Sequence, residues 1–117
     1  VIDSVVVDDI TDEYMQERLK LAKGYTLVLI SQGPNWDTPD RDSIIWQHGR
    51  RNFGLRRQGD LAIVCPVGDD TPLAGLYIFS TDIDTVTAIM EDDPGVLSGV
   101  FVFEVHPVAG FPGDSLP

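Results

Sequence analysis

SIIWQHGRRNFGLRRQGDLAIVCPVGDDTPLAGLYIFS, residues 43–80, changes its hydrophobic period midway, and that change sets the fold. Over 43–58 the apolar residues recur at helical spacing, and Gly59 suits the stop. Residues 60–67 then hold the apolar run LAIVCPV, which reads as a strand. Residues 68–71 carry turn residues, with Asp69 and Asp70 at the tip. Residues 73–80 form a second strand. So short a connection makes the two strands an antiparallel hairpin.

Toward the N-terminus, residues 9–23 read as a helix. Thr11 can cap it, Asp12 and Glu13 suit its first turn, and Lys20, Lys23 and Gly24 suit its end. Met15, Leu19, Leu21 and Ala22 give it a modest apolar stripe. Residues 25–31 (YTLVLIS) form a strand. Residues 32–42 form a loop marked by Gly33-Pro34 and Thr38-Pro39. Toward the C-terminus, Ile83, Val86, Ile89 and Met90 predict a helix over 81–92. Pro94 ends it, and 98–105 (SGVFVFEV) is the last strand. The order is an extra N-terminal helix followed by β-α-β-β-α-β. That is the ferredoxin-like plan of the α+β class, with two helices on one face of a four-stranded antiparallel sheet. The strands are apolar in both registers, so the second face calls for a cover. The expected cover is another subunit, sheet against sheet, in a dimeric α+β barrel. One domain is expected over 9–107, with its core in 25–107. Residues 1–8 are expected to be a flexible arm and 108–117 a C-terminal tail.

The chain has 117 residues, 43% hydrophobic, and a mean hydropathy of +0.01, an ordinary composition for one globular domain. Its formal net charge is -11. Nucleic acid and anionic membranes are therefore poor partners. The bases are unevenly placed: five of the eight are Arg41, Arg50, Arg51, Arg56 and Arg57. That cluster is either a solvated helix face or an attractor for an anionic substrate or an acidic surface of a second subunit. Cys65 is the single cysteine, which accords with a reducing compartment, and the cytoplasm is the expected location. No apolar run approaches the ~20 residues that span a bilayer. The histidines, cysteine and acidic clusters lack the spacing of a zinc or calcium site, and no phosphate-binding glycine loop occurs. No metal and no cofactor is expected.

His48 is the most informative residue. At 100° per residue it falls among Ile44, Ile45, Trp46, Phe53 and Leu55, with Asn52 beside it. Arg50, Arg51 and Arg57 fall mostly opposite, with Arg56 the exception. A buried imidazole must be hydrogen-bonded. It is either a satisfied core histidine or a proton-transfer group. Trp36, in a polar loop, is a candidate contact with a pocket or interface, and Asn52 a candidate substrate contact. His106 reads as surface, and Cys65 as a small apolar residue rather than a nucleophile.

The run His48 to Pro66, HGRRNFGLRRQGDLAIVCP, resembles the core of the YCII-related domain family of the dimeric α+β barrel group. The shared pattern is a helical histidine, a glycine eleven residues later at Gly59, an apolar strand over 61–64 and a closing proline, Pro66. Asp93-Pro94 and Gly99 before the last strand resemble the family's Asp-Pro…Gly segment. The likeness covers residues 25–107. The helix over 9–23 is an addition to the family unit. Cys65 stands where a glycine is usual, and Gly95 where an aromatic is usual. The resemblance implies a homodimer with a His/Asp centre in a pocket between helices and sheet, here His48 and Asp93. Asp92, adjacent to Asp93, is open to either role. The implied chemistry is general acid/base catalysis, of lyase, dehydrochlorinase or isomerase type, on a small and partly aromatic molecule. The competing expectation is a non-catalytic ligand-binding or accessory protein of the same fold. A monooxygenase of the wider barrel group is a third.

Overall fold

The structure is a computed structural model that describes residues 4–117, so residues 1–3 of the expected arm lie outside the described residues. Eight elements follow one another: α1 (Asp12–Leu19), β1 (Lys23–Gln32), α2 (Arg41–Gln58), β2 (Leu61–Pro66), β3 (Leu73–Phe79), α3 (Ile83–Glu91), α4 (Pro94–Leu97) and β4 (Phe101–Gly110). They build a ferredoxin-like α+β fold. Its sheet is antiparallel, in the order β2-β3-β1-β4. Two compact units are present, one of Gly24–Val108 and one joining the chain up to Lys23 with Ala109–Pro117.

In the larger unit the register explains the core. Val28 and Val64 flank Tyr77 on its two sides, and Thr26 and Leu61 flank Phe79. Side chains alternate across a pleated strand, so Val28, Ile30, Tyr77 and Phe79 share one face. That face is buried together with Leu55 of α2 and Val86 and Met90 of α3. The alternate residues Leu27, Leu29, Leu76 and Ile78 are half-buried. The prolines Pro66 and Pro107 fall in β2 and β4, the two strands at the ends of the order, where a missing N–H breaks no ladder.

Two helix ends have clear local causes. Gly59 closes α2 in the left-handed region (φ 91°), which a residue without a Cβ adopts freely, and its N–H reaches back to carbonyls of the last turn. Asp82 caps α3 by accepting from the Thr85 N–H (2.9 Å). Pro94 does end α3, but it also opens α4, the short helix absent from the sequence reading. Its ring sits in the first turn, where no N–H is needed, and Asp93 is the cap.

Several sequence expectations shift. β4 runs past residue 105 to Gly110, carrying Val108 to Gly110 of the expected tail into the sheet. In the smaller unit, α1 is shorter than 9–23. Thr11 caps it as expected, accepting from the Tyr14 N–H (3.0 Å). The chain then tightens after Leu19 into i→i−3 hydrogen bonds and ends the helix, so Gly24 belongs to β1. The apolar stripe predicted on α1 buries nothing: none of its residues is buried. On α2 the broad apolar arc divides. His48, Asn52 and Leu55 are buried and Ile44 and Ile45 half-buried, whereas Trp46 (69% exposed) and Phe53 (74%) face outward.

Candidate functional site

α2 brings His48 over the sheet, and the α4 cap brings Asp93 to meet it. The imidazole Nδ1 lies 2.9 and 2.8 Å from the two Asp93 carboxylate oxygens, with 6% of His48 and 1% of Asp93 exposed. A carboxylate can only accept, so Nδ1 carries the proton and Nε2 is left to act. Asp93 also holds its own helix, accepting from the Gly95 N–H at Oδ2 (2.9 Å). One carboxylate thus fixes both the α4 turn and the imidazole. Asp92, the alternative partner, is an exposed residue at the α3 C-cap.

The sequence reading missed two members of this cluster. Tyr77, from the middle of β3, places its hydroxyl 2.6 Å from His48 Nε2. Asn52 Nδ2 stands 3.3 Å from Nε2 and 3.3 Å from the Tyr77 hydroxyl, one turn of α2 beyond His48. Burial holds the Tyr77 phenol well above the ordinary tyrosine range. The Asn52 hydrogen bond opposes that rise and the Asp93 charge adds to it. The phenol is therefore neutral at physiological pH and donates to the Nε2 lone pair. The second missed residue is Arg51, which the helical wheel put on the outer side. Its Nη1 lies 3.6 Å from Asp93 Oδ1, within ion-pair range but too long for a hydrogen bond, and that buried atom has no hydrogen-bond partner. It compensates the carboxylate's charge from a distance.

A cavity of about 420 Å³ opens above this chain of groups, between α2 and the sheet. Its lining is largely apolar, including Ile30, Ile45, Phe53, Val64 and Phe101. His48, Asn52 and Tyr77 supply the polar groups, and Arg56 stands in the wall. A small apolar pocket with a few convergent polar atoms is the usual form of a small-molecule site. Gly75 lines the pocket as well. A Cβ there would press on Ile30 Cγ1 at 3.3 Å.

Trp36 lies outside this lining. It packs on Phe101 (ring centroids 5.9 Å apart), and Phe101 in turn packs on His48 (4.9 Å). The Arg41 guanidinium lies over the Trp36 ring at 4.6 Å. The loop is pinned by hydrogen bonds from the Gly33 N–H to the Val100 carbonyl (2.7 Å) and from the Asn35 N–H to the Gly99 carbonyl (2.8 Å). A Cβ at Gly33 would strike the Gly99 carbonyl oxygen, so the close approach requires glycine. Trp36 therefore backs the wall that Phe101 presents to the cavity. His106 is exposed and pairs with Glu104 (3.1 Å), away from the cluster, and Cys65 is half-buried and free. Among the described residues no three His, Cys, Asp or Glu side chains gather as a metal-binding group, and no helix is long and apolar enough to cross a membrane.

No family model and no curated protein matches the chain.

Proposed function

We propose that this protein is an enzyme that moves protons on a small organic molecule, in an elimination or isomerisation, with His48 as its general acid/base and Asp93 as the orienter. One observation carries this reading: a hydrogen-bonded line from Asp93 through His48 to Tyr77 at the polar end of an apolar cavity. In the resting state Nδ1–H donates to Asp93 and Tyr77 O–H donates to Nε2. A substrate whose C–H lies next to a carbonyl gives its proton to Nε2, once Tyr77 turns aside, or to the Tyr77 oxygen as the phenol proton passes to Nε2. Either route ends with imidazolium beside the Asp93 carboxylate, which stabilises it. Returning the proton to another atom completes an isomerisation. Expelling a leaving group from the neighbouring carbon completes an elimination. The apolar walls suit a small, partly aromatic substrate.

The likeness to the YCII-related family rests on His48, Gly59, Pro66, Asp93 and Pro94. It brings with it a homodimer formed sheet to sheet, and the cysteine content separately suggests a cytoplasmic setting. The half-buried apolar residues Leu27, Leu29, Leu76 and Ile78 support the first, and the free thiol of Cys65 accords with the second. A second reading has its own observation. Both imidazole nitrogens are already hydrogen-bonded within the protein, which is what a structural histidine in a non-catalytic ligand-binding module would require.

Proton exchange separates the two without knowledge of the substrate. Small carbonyl compounds with acidic C–H groups, aromatic and aliphatic, are incubated with the protein in D2O and followed by NMR. The enzyme reading expects catalysed deuterium uptake in a subset of them, falling by about 10²- to 10⁴-fold in His48→Ala. Binding in the cavity without exchange in any compound establishes the second reading.

A further inference from the structure

We propose that the outer face of α2 is a self-association surface whose occupant is a second copy of this chain, crossing antiparallel at Gly49. Asp42, Trp46, Gly49, Phe53 and Arg57 recur at three- and four-residue steps, so they form one stripe along the helix. Trp46 and Phe53 are among the most exposed large hydrophobic residues described. Between them lies an open cleft of about 550 Å³ that reaches Asp42 at one end. A Cβ at Gly49 would meet nothing within 4 Å, so the floor of the cleft is bare backbone, open to close approach by another helix.

The stripe is complementary to itself. Trp46 and Phe53 are symmetric about the 49–50 peptide, and so are Asp42 and Arg57. A two-fold axis through that point sets Trp46 against Phe53 of the second copy, and Asp42 against its Arg57. Arg50, on the flank of the stripe, then faces Gly49 of the second copy. Asp42 is fully exposed, with only its own Arg41 Nε at 3.9 Å. No ion pair of Arg50 or Arg57 occurs among the described residues. The charge match is confined to the two Asp42–Arg57 contacts, while the other bases of α2 add like charge. The association therefore rests on the apolar Trp46–Phe53 contacts and on those two ion pairs. Ile45, Gly49 and Phe53 also line the His48 cavity, so Trp46 of the second copy would border its mouth. The contact uses the helical layer and is separate from any sheet-to-sheet pairing.

Sedimentation equilibrium over a wide range of protein concentration tests it. The wild type is expected to associate to twice the mass that the Trp46→Ala/Phe53→Ala variant reaches, with a dissociation constant at least about tenfold tighter. Reciprocal charges give the sharper arm. Asp42→Arg and Arg57→Asp are each expected to weaken association, and the two together to restore it. If these residues served only the helix, the double variant would be the worst, since it opposes the helix dipole at both ends. Circular dichroism confirms that all variants are folded. Equal mass for the wild type and every variant, whether monomer or a dimer made elsewhere, overturns the proposal, as does a double charge variant weaker than both single ones.

Discussion

A Cβ at position 95 would collide with the ring of Phe101 and stand 3.0 Å from Asp93 Oδ2. Gly95 is buried, so neither neighbour has open water to move into. Gly95→Ala is therefore expected to destabilise the fold by about 1–3 kcal/mol, the usual range for forced overpacking, as read by urea denaturation. Its second effect is local. By pushing the carboxylate it lengthens the bonds to His48 Nδ1, and the downfield imidazole N–H proton resonance should shift or broaden. Phe101 already fills the space into which any side chain at position 95 would grow. At this scale His48 was legible from the residues themselves, whereas Asp93 was named only through the likeness at Asp93-Pro94, with Asp92 left open, and their neighbours were less legible still. Tyr77 was hidden because strand residues were read as a run rather than by parity. It shares the inward register of Gly75 and Phe79, and that signal would have found it. Arg51 was misplaced because a wheel locates Cα atoms, whereas a guanidinium several bonds away can reach across to Asp93. It is also three residues from His48, a neighbouring position on a helix.

Strand and helix identities were legible wherever period and stop signals agreed, as in β2, β3 and α2. They failed where one residue serves two purposes. Pro94 ends one helix and begins another, and an exclusion rule captures only the first role. Pro107 reads as a breaker, yet it lies within β4 because the edge of a sheet tolerates it. The α3 cap carries a prediction of its own. Thr85, through its side chain and backbone, holds the Asp82 carboxyl below the ordinary carboxylate value of 3.8. Because the folded value is depressed, the charge contributes its stability fully above the ordinary value. That contribution is lost as pH falls toward and through the folded value. Asp82→Ala is expected to melt earlier than wild type near neutral pH, with the gap closing in acid. Asp82→Asn, also a good cap, should keep most of the neutral stability and lose that part of the acid dependence. Thermal melts over an acidic pH series give both comparisons.

Across the whole molecule, the cluster that would perform chemistry is also part of the core. Tyr77 sits between Val28 and Val64 in the sheet, on the face packed against the helices, and its hydroxyl is bonded to His48 and Asn52. Removing that hydroxyl leaves buried polar groups with fewer partners, so Tyr77→Phe should cost about 1–3 kcal/mol at neutral pH. The cost is expected to depend on pH, with a sign set by the raised phenol value. Below the ordinary value of 10.0, folded and unfolded chains both keep the proton, and Tyr77 adds no slope. Above it the unfolded chain releases the proton while the folded chain holds it. The wild type therefore loses stability with rising pH until the folded phenol itself ionises. Phenylalanine has no proton to release, so Tyr77→Phe lacks this share of the alkaline loss, and the two urea midpoints should converge above pH 10.0. A gap that stays constant through that range would mean that the phenol is as free to ionise in the folded chain as in the unfolded one. Tyr77 would then not be the buried neutral donor on which the resting state of His48 depends.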